Sequence, residues 1–161
     1  MRHLLTTTLF ALAASAFAPA QAAANPVGTG CAGSNGVPTL TANQPPYLGE
    51  PITLDVANLP LNPSWTLWMW STNDVSFAGQ PLPLDLAFAG MPGCLLYQDA
   101  FVNVYQDQVI PGSISQTINI PLDLTLVGCR VLTQTLHCDF GVNATGYTTA
   151  NMLELLLDVR P

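Results

Sequence analysis

Apolar and polar residues alternate with a period of two along much of the chain, which predicts short β-strands. Ile52, Leu54 and Val56 alternate with smaller or more polar neighbours. Pro51 precedes this segment, and Asn58-Leu59-Pro60 ends it. The same kind of pattern predicts further strands at residues 65–70, 82–88, 94–104 (one or two strands), 114–120, 130–140 and 152–159.

The last of these segments has two interpretations. Leu153, Leu155, Leu157 and Val159 share one face of an extended chain, but the run Leu-Glu-Leu-Leu-Leu also has good helical propensity. Its short length and β-rich surroundings favour a strand. The chain is therefore predicted to form a single all-β domain, an antiparallel β-sandwich of about seven or eight short strands.

The N-terminal segment predicts export. Residues 1–22 combine a positive start, an apolar run and the small-residue sequence Ala20-Gln21-Ala22, which is typical of a secretory signal peptide. Cleavage after Ala24 is the alternative. A membrane anchor is less favoured because the apolar run is shorter than the roughly 20 residues that span a bilayer. We expect a Gly-rich arm at 23–36, a sandwich domain at 37–161, no later membrane span, and an extracellular, cell-surface or periplasmic location.

Composition excludes some partners. The 161 residues include three Lys+Arg, none of them lysine, against ten Asp+Glu, for a formal net charge of −7. So little positive charge cannot neutralise a run of phosphates, which excludes nucleic acid as a partner. Sheet edges without lysine lack one common guard against edge pairing, so self-association is a possible mode of interaction.

Four cysteines lie after the predicted cleavage site, and an oxidising compartment permits disulfides. Of the three possible connectivities we favour Cys31 with Cys94, which closes a long loop. By elimination Cys129 would pair with Cys138, but nine residues of extended chain cover about 30 Å, and bridged Cα atoms lie about 5.5 Å apart. Either the chain turns between these two cysteines or both thiols stay free.

Three stretches of the chain, two of which contain a cysteine, resemble those of a known family. Residues 28–40 read Gly-Thr-Gly-Cys-Ala-Gly-Ser-Asn-Gly-Val-Pro-Thr-Leu, residues 81–86 read Pro-Leu-Pro-Leu-Asp-Leu, and residues 90–97 read Gly-Met-Pro-Gly-Cys-Leu-Leu-Tyr. Together they resemble a family of small, uncharacterised secreted bacterial β-domain proteins. The resemblance implies a small exported β-domain and supports the pairing of Cys31 with Cys94. It implies no activity, and Cys129 and Cys138 fall outside the shared pattern.

Candidate catalytic groups are few. Acid–base and nucleophilic catalysis usually needs a histidine or lysine beside the reacting group, and His137 is the only histidine after the predicted cleavage site. A small hydrolase would have to be built around it, with Asp139, Asp107 or Asp99 as its partner. The ten acids are spread singly, so no carboxylate pair suggests a glycosidase. The sequence predicts a protein that is not an enzyme and has no cofactor.

Metal-ligand spacing is equally sparse. The run His137-Cys138-Asp139 is the only cluster with zinc-ligand chemistry, and export makes a disulfide more typical than zinc. No calcium loop of the Asp-x-Asp-x-Asp-Gly type occurs, although Asn73, Asp74 or Asp99 could contribute to a looser calcium site. We predict no metal site.

The densest aromatic feature is Trp65-Thr66-Leu67-Trp68-Met69-Trp70, which holds all three tryptophans. In a strand, Trp68 and Trp70 point to one face, with Trp65 on the other. Packing in the core is the favoured interpretation. The alternative is a stacking platform for sugar rings formed by Trp68 and Trp70. The predicted function is a secreted, non-catalytic structural or adhesive module, and a carbohydrate-binding module is the alternative, so a glycan is a candidate partner.

Overall fold

The computed structural model describes residues 21–62, 64–108 and 110–161. The predicted signal peptide lies outside these residues except for its last two positions. Within the described ranges, no helix is both long and apolar enough to cross a membrane.

The described chain is an all-β fold with antiparallel sheets, as predicted. Its strands are β1 (Ala23–Val27), β2 (Thr39–Ala42), β3 (Pro51–Ala57), β4 (Trp65–Ser71), β5 (Ser76–Phe77), β6 (Gln80–Pro81), β7 (Leu84–Asp85), β8 (Leu95–Leu96), β9 (Val102–Asp107), β10 (Ser113–Asn119), β11 (Arg130–Cys138), β12 (Tyr147–Thr149) and β13 (Met152–Leu156). Two short 3₁₀ helices, Leu86–Ala89 and Leu124–Leu126, complete the regular elements of the described part.

Two sheets build the sandwich. The larger has six strands in the order β1-β13-β11-β4-β9, with β12 also pairing with β11. The smaller has three strands in the order β10-β3-β2. The edges of the large sheet are β1 and β9, and self-association through such an edge stays a prediction. Strands β5 and β6 form one small hairpin-like pair, and β7 and β8 form another.

The main core lies between the two sheets. The alternation in β3 buries Ile52, Leu54 and Val56, each at most 1% exposed, against the large sheet. Trp68 of β4 and Leu153 of β13 belong to the same buried cluster. The segment with the competing helical interpretation is strand β13, because only an extended chain turns its alternate leucines towards this core.

The outer face of the large sheet is covered by irregular chain that the predicted disulfide holds in place. Cys31 and Cys94 are bonded across a sequence separation of 63 residues. Met91 packs with this disulfide against Leu136 and Tyr147 of the large sheet. The segment at 23–36 that was predicted as an arm contributes β1 through its first five residues and reaches the disulfide through the rest.

Close packing on this face explains why residue 28 is a glycine. Gly28 has a φ of +67°, and a Cβ atom at its position would lie 2.1 Å from the Tyr97 ring. The Tyr97 hydroxyl oxygen accepts a hydrogen bond from the Thr29 backbone N–H at 3.1 Å. A side chain at residue 28 would therefore both strain the backbone and displace Tyr97.

The single strand predicted at 82–88 is wrong. The Asp85 carboxylate accepts a hydrogen bond from the Ala87 N–H at 2.8 Å and caps the 3₁₀ helix Leu86–Ala89. Gly90, with a φ of 81°, ends this helix in the left-handed conformation. Because local capping replaces the ladder hydrogen bonds here, the alternation of Leu84, Leu86 and Phe88 does not mark one sheet face.

The pairing of Cys129 with Cys138 by elimination is wrong, and the alternative that both thiols stay free is confirmed. Cys129 and Cys138 are both free thiols. Cys138 is the last residue of β11 and Cys129 directly precedes its first, so the whole extended strand separates them. Burial and the nearby Asp139 raise the pKa of the Cys138 thiol, which therefore stays protonated at neutral pH.

Candidate functional site

An apolar pocket opens between the two sheets at the end where β10 finishes. Its volume is about 370 Å³, within the usual range for small-molecule sites. It is lined by Ile52, Trp70, Gln116, Ile118, Asn119, Ile120, Pro121, Val131, Leu155 and Leu157. Two of the lining side chains are amides, and the others are aliphatic side chains, a proline ring and an indole.

Strand register explains how these residues meet. On the small sheet, Ile118 of β10 pairs with Ile52 of β3, so the two isoleucines share the inward face. On the large sheet, Val131 of β11 pairs with Leu155 of β13. Trp70 of β4 is aligned with Thr133, two residues further along β11, which places its indole on the same inward face.

The sheets are close together at the opposite end of β10. There the Gln106 side-chain amide of β9 donates from Nε2 to the Ser115 carbonyl oxygen of β10 at 3.0 Å. Gln106 also accepts from the Trp68 indole Nε1 at 2.9 Å. The first of these bonds connects β9 with β10, the edge strands of the two sheets, and the second connects β9 with β4 inside the large sheet.

Gln116 is the unusual residue of the pocket wall. It occupies an inward position of β10, between Ile114 and Ile118, and is aligned with Leu54 of β3. Its Oε1 atom is buried and has no hydrogen-bond partner among the described residues. Four other buried side-chain atoms in the described part also have no hydrogen-bond partner, but none of them belongs to a residue that lines the pocket. A buried acceptor without a partner costs free energy, so Gln116 Oε1 lacks a hydrogen bond that a donor group would supply.

The pocket has no ionisable lining residue. The two arginines of the described chain are engaged elsewhere: Arg130 bonds Asp74 at 2.5 Å and Glu154 at 3.2 Å, and Arg160 bonds Glu50 at 2.5 Å. Hydrogen bonds from these arginines hold the pKa values of Asp74 and Glu50 below their usual range. The pocket is electrically neutral, and no free cation of the described residues is available to it.

The two tryptophans proposed as a sugar platform have different surroundings. Trp68 is fully buried and belongs to the core, as the favoured interpretation predicted. Trp70 is half-buried and forms part of the pocket wall. Because Trp68 is inaccessible, the paired stacking surface of Trp68 and Trp70 does not form.

Trp65 lies on the other face of β4, in an aromatic group that the sequence did not single out as a unit. Its ring centroid is 5.6 Å from that of Tyr105 and 5.5 Å from that of Tyr147, both in tilted arrangements. Tyr105 is 58% exposed, and its hydroxyl donates to the Asp107 carboxylate at 2.5 Å. This hydrogen bond raises the pKa of Tyr105.

His137 is inaccessible to any substrate. It is fully buried. Its Nδ1 lies 2.9 Å from the Thr66 hydroxyl and its Nε2 lies 2.9 Å from the Thr135 hydroxyl. Burial lowers the pKa of His137 to about 3, so the ring is neutral at physiological pH. Both nitrogens are used in packing, and the arrangement offers no general base to a hydrolase.

The acids proposed as partners of His137 have other contacts. Asp139 accepts a hydrogen bond from the Ser34 backbone N–H at 2.7 Å. Asp99 accepts from the Asn73 side-chain amide at 3.0 Å and from the Ser71 hydroxyl. Asp107 accepts from Tyr105, as described above. The residues expected to form a triad are therefore distributed over separate structural hydrogen bonds.

The candidate metal ligands named from the sequence include the same acidic side chains, and no metal site was predicted from them. Within the described ranges, no three His, Cys, Asp or Glu side chains are grouped in a way that could hold a metal ion. Asp74, one of the candidate calcium ligands, is paired with Arg130.

Sequence reasoning missed most of the pocket, although one signal was present. Ile114, Ile118 and Ile120 follow period two, and Gln116 occupies the polar gap in that series. A polar residue at an inward position of an apolar series marks a place where a buried polar group is needed or tolerated. The convergence of β10 with β11 and β13 depends on sheet packing and has no local sequence signal.

Fold and site together define an antiparallel all-β protein with a neutral, apolar pocket between two sheets. The chain matches no protein-family model, no curated protein and no solved structure. The resemblance of its cysteine motifs to a family of secreted β-domain proteins therefore stays a prediction.

Proposed function

We propose that this protein is an exported, non-catalytic interaction module whose activity is to bind an apolar ligand in the inter-sheet pocket. The observation that carries this proposal is the pocket itself, about 370 Å³ with an almost wholly apolar wall. Protein interiors are normally packed to crystal density, and the rest of this inter-sheet core is buried and continuous. An open apolar space beside such a core is the default position of a small-molecule site.

Two features support the non-catalytic part of the proposal. His137 is buried and neutral, with both ring nitrogens hydrogen-bonded to threonines. The pocket lining contains no carboxylate, histidine, cysteine, serine or threonine that could act as a base or nucleophile.

Two features support export. The Cys31–Cys94 disulfide is of a kind that persists in oxidising compartments. Strand β1 begins at Ala23, directly after the favoured cleavage site, so cleavage there leaves the sheet complete. The alternative cleavage after Ala24 would remove residues aligned with Leu156 and Leu155 of β13. We therefore propose cleavage after Ala22.

Binding is tested with Nile red, an uncharged dye whose fluorescence increases in apolar surroundings. The purified protein should bind the dye in a saturable, one-to-one manner. The variant Ile118→Trp, which fills the pocket from β10, should lose this binding. The matched control Thr117→Trp places the same indole on the exposed face of the same strand and should bind normally, with both folds checked by circular dichroism.

The pocket proposal fails if the protein binds no dye. It also fails if Ile118→Trp and Thr117→Trp bind the dye equally well.

Carbohydrate binding is a second candidate because of the aromatic group around Trp65. Tyr105 is largely exposed, lies beside Trp65 and is hydrogen-bonded to a carboxylate that could also accept from sugar hydroxyls. If this surface binds glycans, Tyr105→Ala should abolish the retardation of the protein in gels that contain a soluble polysaccharide. Trp70→Ala should leave that retardation unchanged, because Trp70 faces the opposite side of the sheet.

A further inference from the structure

We infer that the ligand of the inter-sheet pocket is an uncharged, mainly apolar molecule that carries a hydroxyl group, of the class of long-chain alcohols. This inference rests on the proposed function and specifies the chemistry of the same site. Three properties of the pocket lead to it: its apolar wall, its lack of charge and its single buried unpaired acceptor.

The first step concerns charge. An ionised group that leaves water for an apolar wall needs an opposite charge or several hydrogen bonds to replace its hydration. The pocket lining offers no ionisable side chain. Arg130 and Arg160 are bound to acids outside it, and the whole chain carries a formal charge of −7. A fatty-acid carboxylate would find no cation, and an ammonium group would find no carboxylate.

The second step concerns the polar end of the ligand. Gln116 Oε1 is buried and unpaired among the described residues. Gln116 lines the pocket, so a turn of its side chain presents this oxygen to a ligand, and the complementary ligand atom is a hydrogen-bond donor. A hydroxyl group donates to this oxygen and keeps its own acceptor capacity. An ether or a hydrocarbon has no donor and would leave the acceptor unpaired.

The third step places the two ends of the ligand. From Gln116 the chain continues through Ile118 of β10 to Ile120, just after this strand. Across the pocket lie Val131 of β11, Leu155 of β13 and Leu157, which follows β13. A hydroxyl at Gln116 therefore leaves the alkyl part against an aliphatic wall. The Trp70 indole contributes a further apolar surface to the same pocket.

Displacement of Nile red by three matched ligands tests this inference. The ligands are 1-decanol, the methyl ether of similar length 1-methoxynonane, and decanoate at neutral pH. One hydrogen bond gained by an otherwise buried acceptor corresponds to about a ten-fold gain in affinity. We expect 1-decanol to displace the dye at concentrations about ten-fold lower than the ether, and decanoate to be weaker than 1-decanol by at least the same factor.

A variant of Gln116 tests whether this residue causes the preference for the alcohol over the ether. Gln116→Met keeps the length of the side chain and removes the acceptor, so the dye should still bind and the preference for alcohol over ether should disappear. Thr117→Val, on the exposed face of the same strand, is the matched control and should keep the full preference.

The possible outcomes separate the two proposals. If the protein binds dye and all three ligands displace it equally, or decanoate displaces it best, the inference about the ligand class is overturned and the pocket proposal stands. The inference is also overturned if Gln116→Met keeps the preference for alcohol. If the protein binds no dye, the proposed function fails, and the inference fails with it.

Discussion

Trp68 and Trp70 lie two residues apart on the same face of β4, yet they occupy opposite kinds of surroundings. Trp68 is fully buried, and its indole N–H is hydrogen-bonded to Gln106. Trp70 is half-buried and borders an open pocket that is also lined by Gln116, whose buried Oε1 atom has no partner among the described residues. The inter-sheet space is thus closed around Trp68 and open around Trp70.

The two ends differ in the contacts that the edge strand β9 makes. Around Trp68, β9 and β10 are connected by Gln106, and the two sheets form one continuous core. At the other end, Val102 of β9 is aligned with Trp70 and is 47% exposed, although its register places it on the inward face. The same alternation of apolar residues therefore produces a buried core where the second sheet covers it and an exposed apolar surface where it does not.

The largest expected effect is a difference in stability between two identical substitutions. Trp68→Ala removes a fully buried indole and should lower the free energy of unfolding by about 3–5 kcal/mol. Trp70→Ala removes an indole that already borders the pocket, and its cost should be about 1–2 kcal/mol. Urea denaturation of both variants measures this difference. Equal losses would mean that the two ends are equally packed.

Removal of the disulfide tests whether the difference between the closed and open ends depends on the inter-sheet space alone. Replacement of both Cys31 and Cys94 by alanine opens a loop of 63 residues and should cost about 4 kcal/mol. Nile red binding at temperatures where the variant is folded should remain unchanged, because the disulfide lies on the outer face of the large sheet. Cys129→Ser, at a free thiol, is the control and should cost less than about 1 kcal/mol. A loss of dye binding in the folded double variant would contradict this separation.

Lowering the pH should reduce the free energy of unfolding through His137 before any carboxylate titrates. The pKa of His137 is about 3 in the folded protein, against an ordinary value of 6.5. Between these values the unfolded chain binds a proton that the folded chain does not, so stability is unaffected above pH 6.5 and falls as the pH decreases towards 3. The loss from neutral pH to about pH 5 should be ~2 kcal/mol.

The source of this pH dependence can be isolated with a variant. The Thr66 and Thr135 hydroxyls that face His137 do not titrate. The lowered pKa values of Asp74 and Glu50 affect stability only in more acidic solution. In His137→Gln, urea unfolding between neutral pH and about pH 5 should therefore be nearly independent of pH. A slope equal to that of the unmodified protein would assign the effect to another group.

Local sequence predicted much of the fold and little of the pocket. Strand β3 follows closely from the alternation of Ile52, Leu54 and Val56 and from the prolines that flank it. The segment at 82–88 was mispredicted because the Asp85 side chain bonds locally, which an alternation of leucines does not reveal. The shared face of Trp68 and Trp70 was predictable, but their different burial was not, since it depends on how far the small sheet extends over the large one.

The smallest predicted effects compare two glutamines that face the same inter-sheet space. Gln106→Met at the closed end leaves the buried Trp68 N–H and the Ser115 carbonyl without their partner, and should cost about 1–3 kcal/mol. Gln116→Met at the open end removes an acceptor that is already unpaired, so the ligand-free protein should be unchanged or more stable by up to about 1 kcal/mol. Urea denaturation of ligand-free protein measures both. If Gln116→Met is as destabilising as Gln106→Met, the Gln116 amide serves the packing of the sandwich, and the polar contact assigned to a ligand is already used by the protein.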